Sequence, residues 1–211
     1  MKITVLGATG GVGRQVVSAA LADGHEVTVL ARTPAKVTPA SGPRIIQGDA
    51  LEVQDVLQAV RGADVVISAL GTTKGPDSDT SLRRMAATLA RALHDASHGP
   101  DLPRVVWCAS EGIYGEIPGL PGKLAMKLLA KPLADHRAAI QTLEDAGVPL
   151  TVARPRALND KPLDPSWTEV VDGPAEGGYS IPRASVAHFL LKAAEDDSYV
   201  GKSVALAVPK H

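Results

Sequence analysis

Cysteine is nearly absent: Cys108 is the one thiol in 211 residues. No disulfide can form within the chain, and a reducing, cytoplasmic setting is expected. Charge of either sign is not in excess, the formal net charge being −1. That leaves no electrostatic case for nucleic acid or an anionic membrane as a partner. Apolar runs all fall short of the ~20 residues that span a bilayer. The first strand pattern begins at Lys2, so a secretory leader is not expected either. Internal repeats and interdomain linkers are missing. Hydrophobic residues at 45% and charged residues at 21% suit one globular domain with a full core. A metal site is not expected. His94 and His98 stand four apart beside Gly99-Pro100, and they read as a solvated helix end rather than a metal pair.

What is present is organised around Met1–Arg14, MKITVLGATGGVGR. An apolar run, Ile3 to Leu6, leads into Gly7-Ala8-Thr9-Gly10-Gly11-Val12-Gly13. A helical pattern follows at once, with Val12, Val16, Val17, Ala20 and Leu21 on its apolar face. This G-x-x-G-x-x-G spacing fits a strand, a tight turn and a helix start. Gly7 supplies the turn, Gly10 lets a phosphate approach the backbone, and Gly13 allows close helix–strand packing. Free N–H groups and the helix dipole then favour a dinucleotide's pyrophosphate there.

The second strand, Glu26 to Ala31, ends at Arg32, where NAD-preferring sites place an acidic residue. Thr33 follows, and Lys36 stands one turn on. Two cations suit the extra phosphate of NADP(H), which is therefore the expected cofactor. After a short third strand, Arg44 to Ile46, comes Gly48-Asp49-Ala50. Asp49 either caps the next helix or flanks an adenine with Ala50, and both options stay open. Ala63 to Leu70 is an apolar strand, ended by Gly71, and Thr80 to Ala96 a helix. Arg104 to Ala109 is a fifth strand with Ser110 at its end; Cys108 reads as a small buried hydrophobe. Gly122 to Ala146 is helical in pattern, with Pro132 as the point where it would break. Its basic first half reads as a solvated face over the active site. Val148 to Ala153 is a sixth strand, Asn159 to Gly178 an irregular stretch, and Tyr179 to Ile181 a short strand. Arg183 to Ala194 and Ser203 to Val208 form a last helix and strand. Strands alternating with helices predict an α/β fold, a Rossmann-type doubly wound parallel sheet in a single domain over 1–211. Substrate-side loops are expected around 72–79, 111–122 and 157–180.

With these pieces in place, the chain resembles the atypical short-chain dehydrogenase/reductases over nearly all of its length. The resemblance is to the NAD(P)H-binding branch that holds the NmrA-like proteins and the biliverdin reductase B type of flavin reductase. It is carried by GATGGVG at Gly7, GDA at Gly48, SALG at Ser68 and CAS at Cys108. It continues in DHRAAIQTLEDAGVPLTVARP from Asp135, PRALNDKPL from Pro155 and YSIPRASVAHFLLKAAEDDSYVGKS from Tyr179. Motif and resemblance together give the expected cofactor contacts. These are Gly7, Thr9, Gly10, Gly11, Val12, Gly13, Arg32, Thr33, Lys36, Asp49, Ala50, Leu70, Gly71, Cys108, Ala109 and Pro155.

One departure is informative. The wider family protonates its substrate with a Tyr-x-x-x-Lys pair. By register with the Asp135 segment, the tyrosine position holds Pro132 and the lysine position His136; Tyr114 has Pro118 four residues on. A relay built for a carbonyl is missing, which a flavin, quinone or tetrapyrrole-like acceptor would tolerate. The resemblance implies catalytic roles for Ser110 and His136, with Arg156 standing where a second histidine is usual. Arg156 could attract a flavin phosphate or a propionate. The reading is an NADPH-dependent reductase, a monomer or small homo-oligomer. The alternatives are a non-catalytic NADP(H) sensor of NmrA-like type and an epimerase. The epimerase is suggested by Ser110-Glu111-Gly112-Ile113-Tyr114-Gly115.

Overall fold

In the computed structural model of the chain, residues 1–39, 41–71, 81–97, 101–117 and 119–210 are described. The loop expected at 72–79, His98 and Pro118 lie outside the described residues.

β1 (Lys2–Leu6) is buried on both faces after Lys2, as its unbroken apolar run requires. Around it, β2 (Glu26–Ala31) and β3 (Arg44–Gln47) are added on one side. β4 (Val65–Ser68), β5 (Arg104–Cys108) and β6 (Leu150–Pro155) are added on the other. All of these pairs are parallel. The winding direction therefore reverses between β1 and β4, the place where open α/β sheets bind ligands. The helices are α1 (Gly11–Ala22), α2 (Val53–Val60), α3 (Ser81–Ala96), α4 (Gly119–Leu128), α5 (Ala130–Asp145) and α6 (Arg183–Glu195). α1 and α6 pack together over one face of the sheet, while α2, α3 and α5 cover the other. No described helix is long and apolar enough to cross a membrane.

Two expectations are corrected. The helix expected from Gly122 to Ala146 is two helices, and the break falls at Leu129 rather than Pro132. Pro132 sits in the first turn of α5, where its missing N–H has no intrahelical acceptor and costs nothing. The stretch Asn159–Gly178 is not wholly irregular. β7 (Ala157–Asn159) pairs with β9 (Ser180–Pro182), and β8 (Thr168–Val171) runs antiparallel to β10 (Ser203–Ala207) at the sheet's far edge. β10 in turn lies parallel to β6.

The glycine turn after β1 is sterically determined. Gly7 has φ +81°, and an added Cβ would lie 2.5 Å from the Ala69 carbonyl oxygen. At Gly13 a Cβ would lie 2.2 Å from the Gly7 oxygen, so α1 crosses β1 with no room for a methyl group. Gly13→Ala is expected to lower stability by about 1–3 kcal/mol, the usual range for overpacking, and to weaken dinucleotide binding. Gly71→Ala, where an added Cβ meets nothing within 4 Å, should leave the urea midpoint unchanged.

Candidate cofactor cleft and substrate side

At the reversal point the strand ends leave a cleft of about 140 Å³. Leu6, Gly7 and Gly10 line it from the β1–α1 turn, and Leu30 and Arg32 from the end of β2. Gly48, Asp49 and Ala50 follow β3, Ala69, Leu70 and Gly71 follow β4, and α3 contributes Met85. The volume is below the ~300–1,000 Å³ of a site that engulfs a whole ligand. It seats one moiety of a longer molecule.

The residues around this cleft fit an NADP(H) dinucleotide. Gly10, at the N-cap of α1, provides no side-chain cap, and the first turn carries no acidic residue. The free N–H groups of that turn therefore remain open to an anion. An added Cβ at Gly10 would meet only the Gly7 oxygen, at 3.2 Å, so its outer side is open. Arg32 is exposed, and among the described residues it has neither an ion-pair nor a hydrogen-bond partner. A free guanidinium at the cleft mouth suits a phosphate dianion.

Asp49 serves its own turn and the cleft together. Its Oδ1 accepts from the Leu51 N–H at 3.0 Å, and its own N–H donates to Asp55 Oδ2 at 2.9 Å. The N-cap of α2 is Glu52, so Asp49 does not cap that helix directly. Gly48 is fixed by the same network, since a Cβ there would sit 2.6 Å from Asp55 Cβ.

Other expected contacts flank the cleft without lining it. Thr9 is exposed on the loop, and Val12 buries its side chain in the core, leaving its backbone for a ligand. Gly11 and Gly13 start α1, while Thr33 and Lys36 are exposed at the short turn Pro34–Lys36.

The substrate side lies at the ends of β5 and β6. The Ala109 N–H donates to the Ala153 oxygen, and the Glu111 N–H to the Pro155 oxygen, extending the ladder past the end of β5 along β6. Burial pushes the Cys108 thiol up to about 12, so no thiolate is available there. Ser110 is half-buried, and its hydroxyl donates to the Glu111 carbonyl at 3.1 Å.

Arg156 is not the open anion receptor that was expected. Its Nε lies 3.0 Å from Glu111 Oε2, and its other nitrogens donate to the carbonyls of Ala175, Gly177 and Gly178. With the guanidinium engaged on all sides, Arg156 ties the loop after β5 to the segment after β8.

Arg154 does the same job one pleat earlier and deeper. It is 1% exposed and donates to Glu116 at 2.5 Å, to Ser203 Oγ at 2.8 Å and to the Gly173 carbonyl at 2.8 Å. Sequence reasoning missed the ties of Arg154, Glu111 and Glu116 because Glu116 and Ser203 lie 38 and 49 residues from Arg154, and Glu111 lies 45 from Arg156.

Asp135 was missed for the same reason. Its carboxylate accepts from the Leu82 and Arg83 N–H groups at 2.9 and 3.1 Å, capping α3 from α5. Next to it, His136 has its Nδ1 buried without a hydrogen-bond partner among the described residues. Burial lowers its pKa to about 4 from 6.5, against an opposing pull from Asp135. The folded ring is therefore neutral at neutral pH, whereas the unfolded chain takes up this proton as pH falls through 6.5. Stability from this site is complete above pH 6.5 and is lost between pH 6.5 and about 4. The loss is up to about 3 kcal/mol. Urea midpoints at pH 7 and pH 4.5 should differ less for His136→Gln than for the unmodified protein. Equal differences would contradict this assignment.

His94 places its Nε2 2.9 Å from the Ala146 oxygen. Among the described residues no three His, Cys, Asp or Glu side chains are grouped to hold a metal.

Comparison with known proteins gives the family and the fold. A family model described as NAD(P)H-binding matches residues 7–197. The (4-alkanoyl-5-oxo-2,5-dihydrofuran-3-yl)methyl phosphate reductase of Streptomyces griseus is 31% identical over 78% of this chain and 50% of its own. The photosystem II assembly factor Ycf39 of Trieres chinensis is 28% identical over 73% of this chain and 45% of its own. The chain spans half or less of the length of such relatives. Among solved structures, a short-chain dehydrogenase/reductase of Veillonella parvula in complex with NADP superposes with TM-score 0.83 at 20% identity. That match covers 99% of this chain and 94% of the other. ChuY, an anaerobilin reductase of Escherichia coli O157:H7, superposes with TM-score 0.82 at 20% identity, covering 99% and 98%. At these identities the likeness establishes the fold.

Proposed function

We propose that this chain, which belongs to the NAD(P)H-binding family and has a reductase among its relatives, is an NADPH-dependent reductase of a planar acceptor. A flavin, a quinone or a tetrapyrrole is the acceptor class. The observation that carries the reading is the single cleft shared by Gly7, Gly10, Arg32 and the Asp49–Ala50 backbone. In it Arg32 would hold the 2′-phosphate and the first N–H groups of α1 the diphosphate. Bound NADPH supplies a hydride. The chain's own part is to hold and orient, and on this reading Ser110 and His136 are the residues given that work. Neither is a strong acid. Pro132 occupies the tyrosine position, and His136 carries no proton to give as an imidazolium at neutral pH. A carbonyl would lack its proton donor, while a flavin or quinone takes its proton from solvent.

The test is NADPH oxidation with and without FMN, menadione or biliverdin, run beside NADH. Acceptor-dependent turnover that prefers NADPH supports the reading, and its loss in a Ser110→Ala/His136→Ala double variant supports the placement. NADPH binding without turnover on any acceptor would favour the second reading, an NADP(H)-binding regulator. That reading draws on the same missing proton donor and on an assembly factor among the relatives.

A further inference from the structure

The glycine turn touches a second arginine, from the helix packed beside α1 on the same face of the sheet. Arg183 opens α6, which packs on α1. A Cβ added to Gly11 would lie 2.6 Å from Arg183 Cδ and 2.7 Å from its Nε. The arginine thus lies directly across the first residue of α1, and Gly11 is bare because Arg183 occupies the space. Among the described residues its guanidinium has one partner, Asp160, whose Oδ1 is 2.7 Å from Nη1. The Asp160 side chain is 88% exposed and that of Arg183 29%. An ion pair this open is weak, and most of the guanidinium's donors remain available. The first turn of α1 offers no carboxylate of its own to compete.

Arg32 and Arg183 stand on different sides of the turn: Arg32 lines the cleft with Gly7 and Gly10, and Arg183 covers Gly11. A cofactor carrying both a 2′-phosphate and a diphosphate presents two separate anionic groups, and one arginine cannot fork both. We propose that Arg183 is the diphosphate-side cation of the cofactor site and Asp160 its resting counter-ion. The inference rests on reading the cleft as an NADPH site. Dinucleotide binding then exchanges the Asp160 partner for phosphate oxygens, while the segment itself stays held to α6 through Asp164 and Ser185.

The test is calorimetric titration of the whole protein with two probes, NADPH and adenosine 2′-monophosphate, which lacks the diphosphate. Arg183→Gln should weaken NADPH by about 10- to 100-fold, the range for a lost charge-assisted hydrogen bond. It should leave adenosine 2′-monophosphate unchanged. Arg183→Lys should recover part of the loss, and Asp160→Asn should tighten NADPH two- to fivefold, roughly the strength of an exposed pair. If Arg183→Gln binds NADPH like the unmodified protein, or loses both probes equally, the role given to Arg183 is overturned. Weaker NADPH binding by Asp160→Asn would overturn the counter-ion role. Failure of the unmodified protein to bind NADPH would instead overturn the site itself.

Discussion

Replacing Arg154 with methionine will lower the stability of the protein by about 3–5 kcal/mol, the cost of breaking a buried ion pair from one side. Glu116, 12% exposed at its side chain, would be left as a carboxylate without its cation. The Gly173 carbonyl and Ser203 Oγ would lose their donors as well. Against a total of about 5–15 kcal/mol for a domain, this is a large fraction. At roughly 2–4 °C per kcal/mol for a chain of this size, the melting temperature should fall by about 6–20 °C. The guanidinium of Arg154 also lies over Tyr114, its central carbon 5.4 Å from the ring centroid, so the loop after β5 should loosen with it. Adding Glu116→Gln to Arg154→Met should recover part of the loss, because the unpaired charge is then gone. A single variant less than 1 kcal/mol below the unmodified protein would show the clamp to be slack.

The second large effect is on cofactor choice. Arg32→Gln is expected to raise the Kd for NADPH by about 10- to 150-fold, the equivalent of 1.5–3 kcal/mol for hydrogen bonds to a charged group. It should change the Kd for NADH less than twofold, because NADH offers no 2′-phosphate to that position. Stability should be unaffected, since Arg32 is exposed and unpaired among the described residues. Titration of both cofactors against both proteins checks this. Equal losses for NADH and NADPH would mean that Arg32 serves the turn or another part of the cofactor.

The strand–turn–helix at the amino end could be read directly, because its determinants are local. The glycine spacing from Gly7 to Gly13 and the apolar run before it need no distant partner to be interpreted. The same holds for Arg32, which is identified by its place at a strand end, and for the apolar strands β4 and β5. What escaped the sequence is tertiary. β8 is a strand because β10 pairs with it, with Leu206 opposite Glu169; four residues carry too short an alternation to announce that. Pro132 signals a break only when it falls beyond the first turn, and the turn position is set by Leu129. The cap of α3 comes from Asp135, 53 residues from Leu82. Arg156 shows the same limit in reverse. Its charge was legible, but not the carboxylate of Glu111 that occupies it.

The account stands on where the two anionic groups of the cofactor are held. A crystal structure of the complex with NADP⁺ is the direct measurement. It should place the 2′-phosphate against the Arg32 guanidinium and the diphosphate over the backbone of Gly10 to Val12. Density for the dinucleotide away from this turn, or a 2′-phosphate in solvent with Arg32 turned aside, would contradict it.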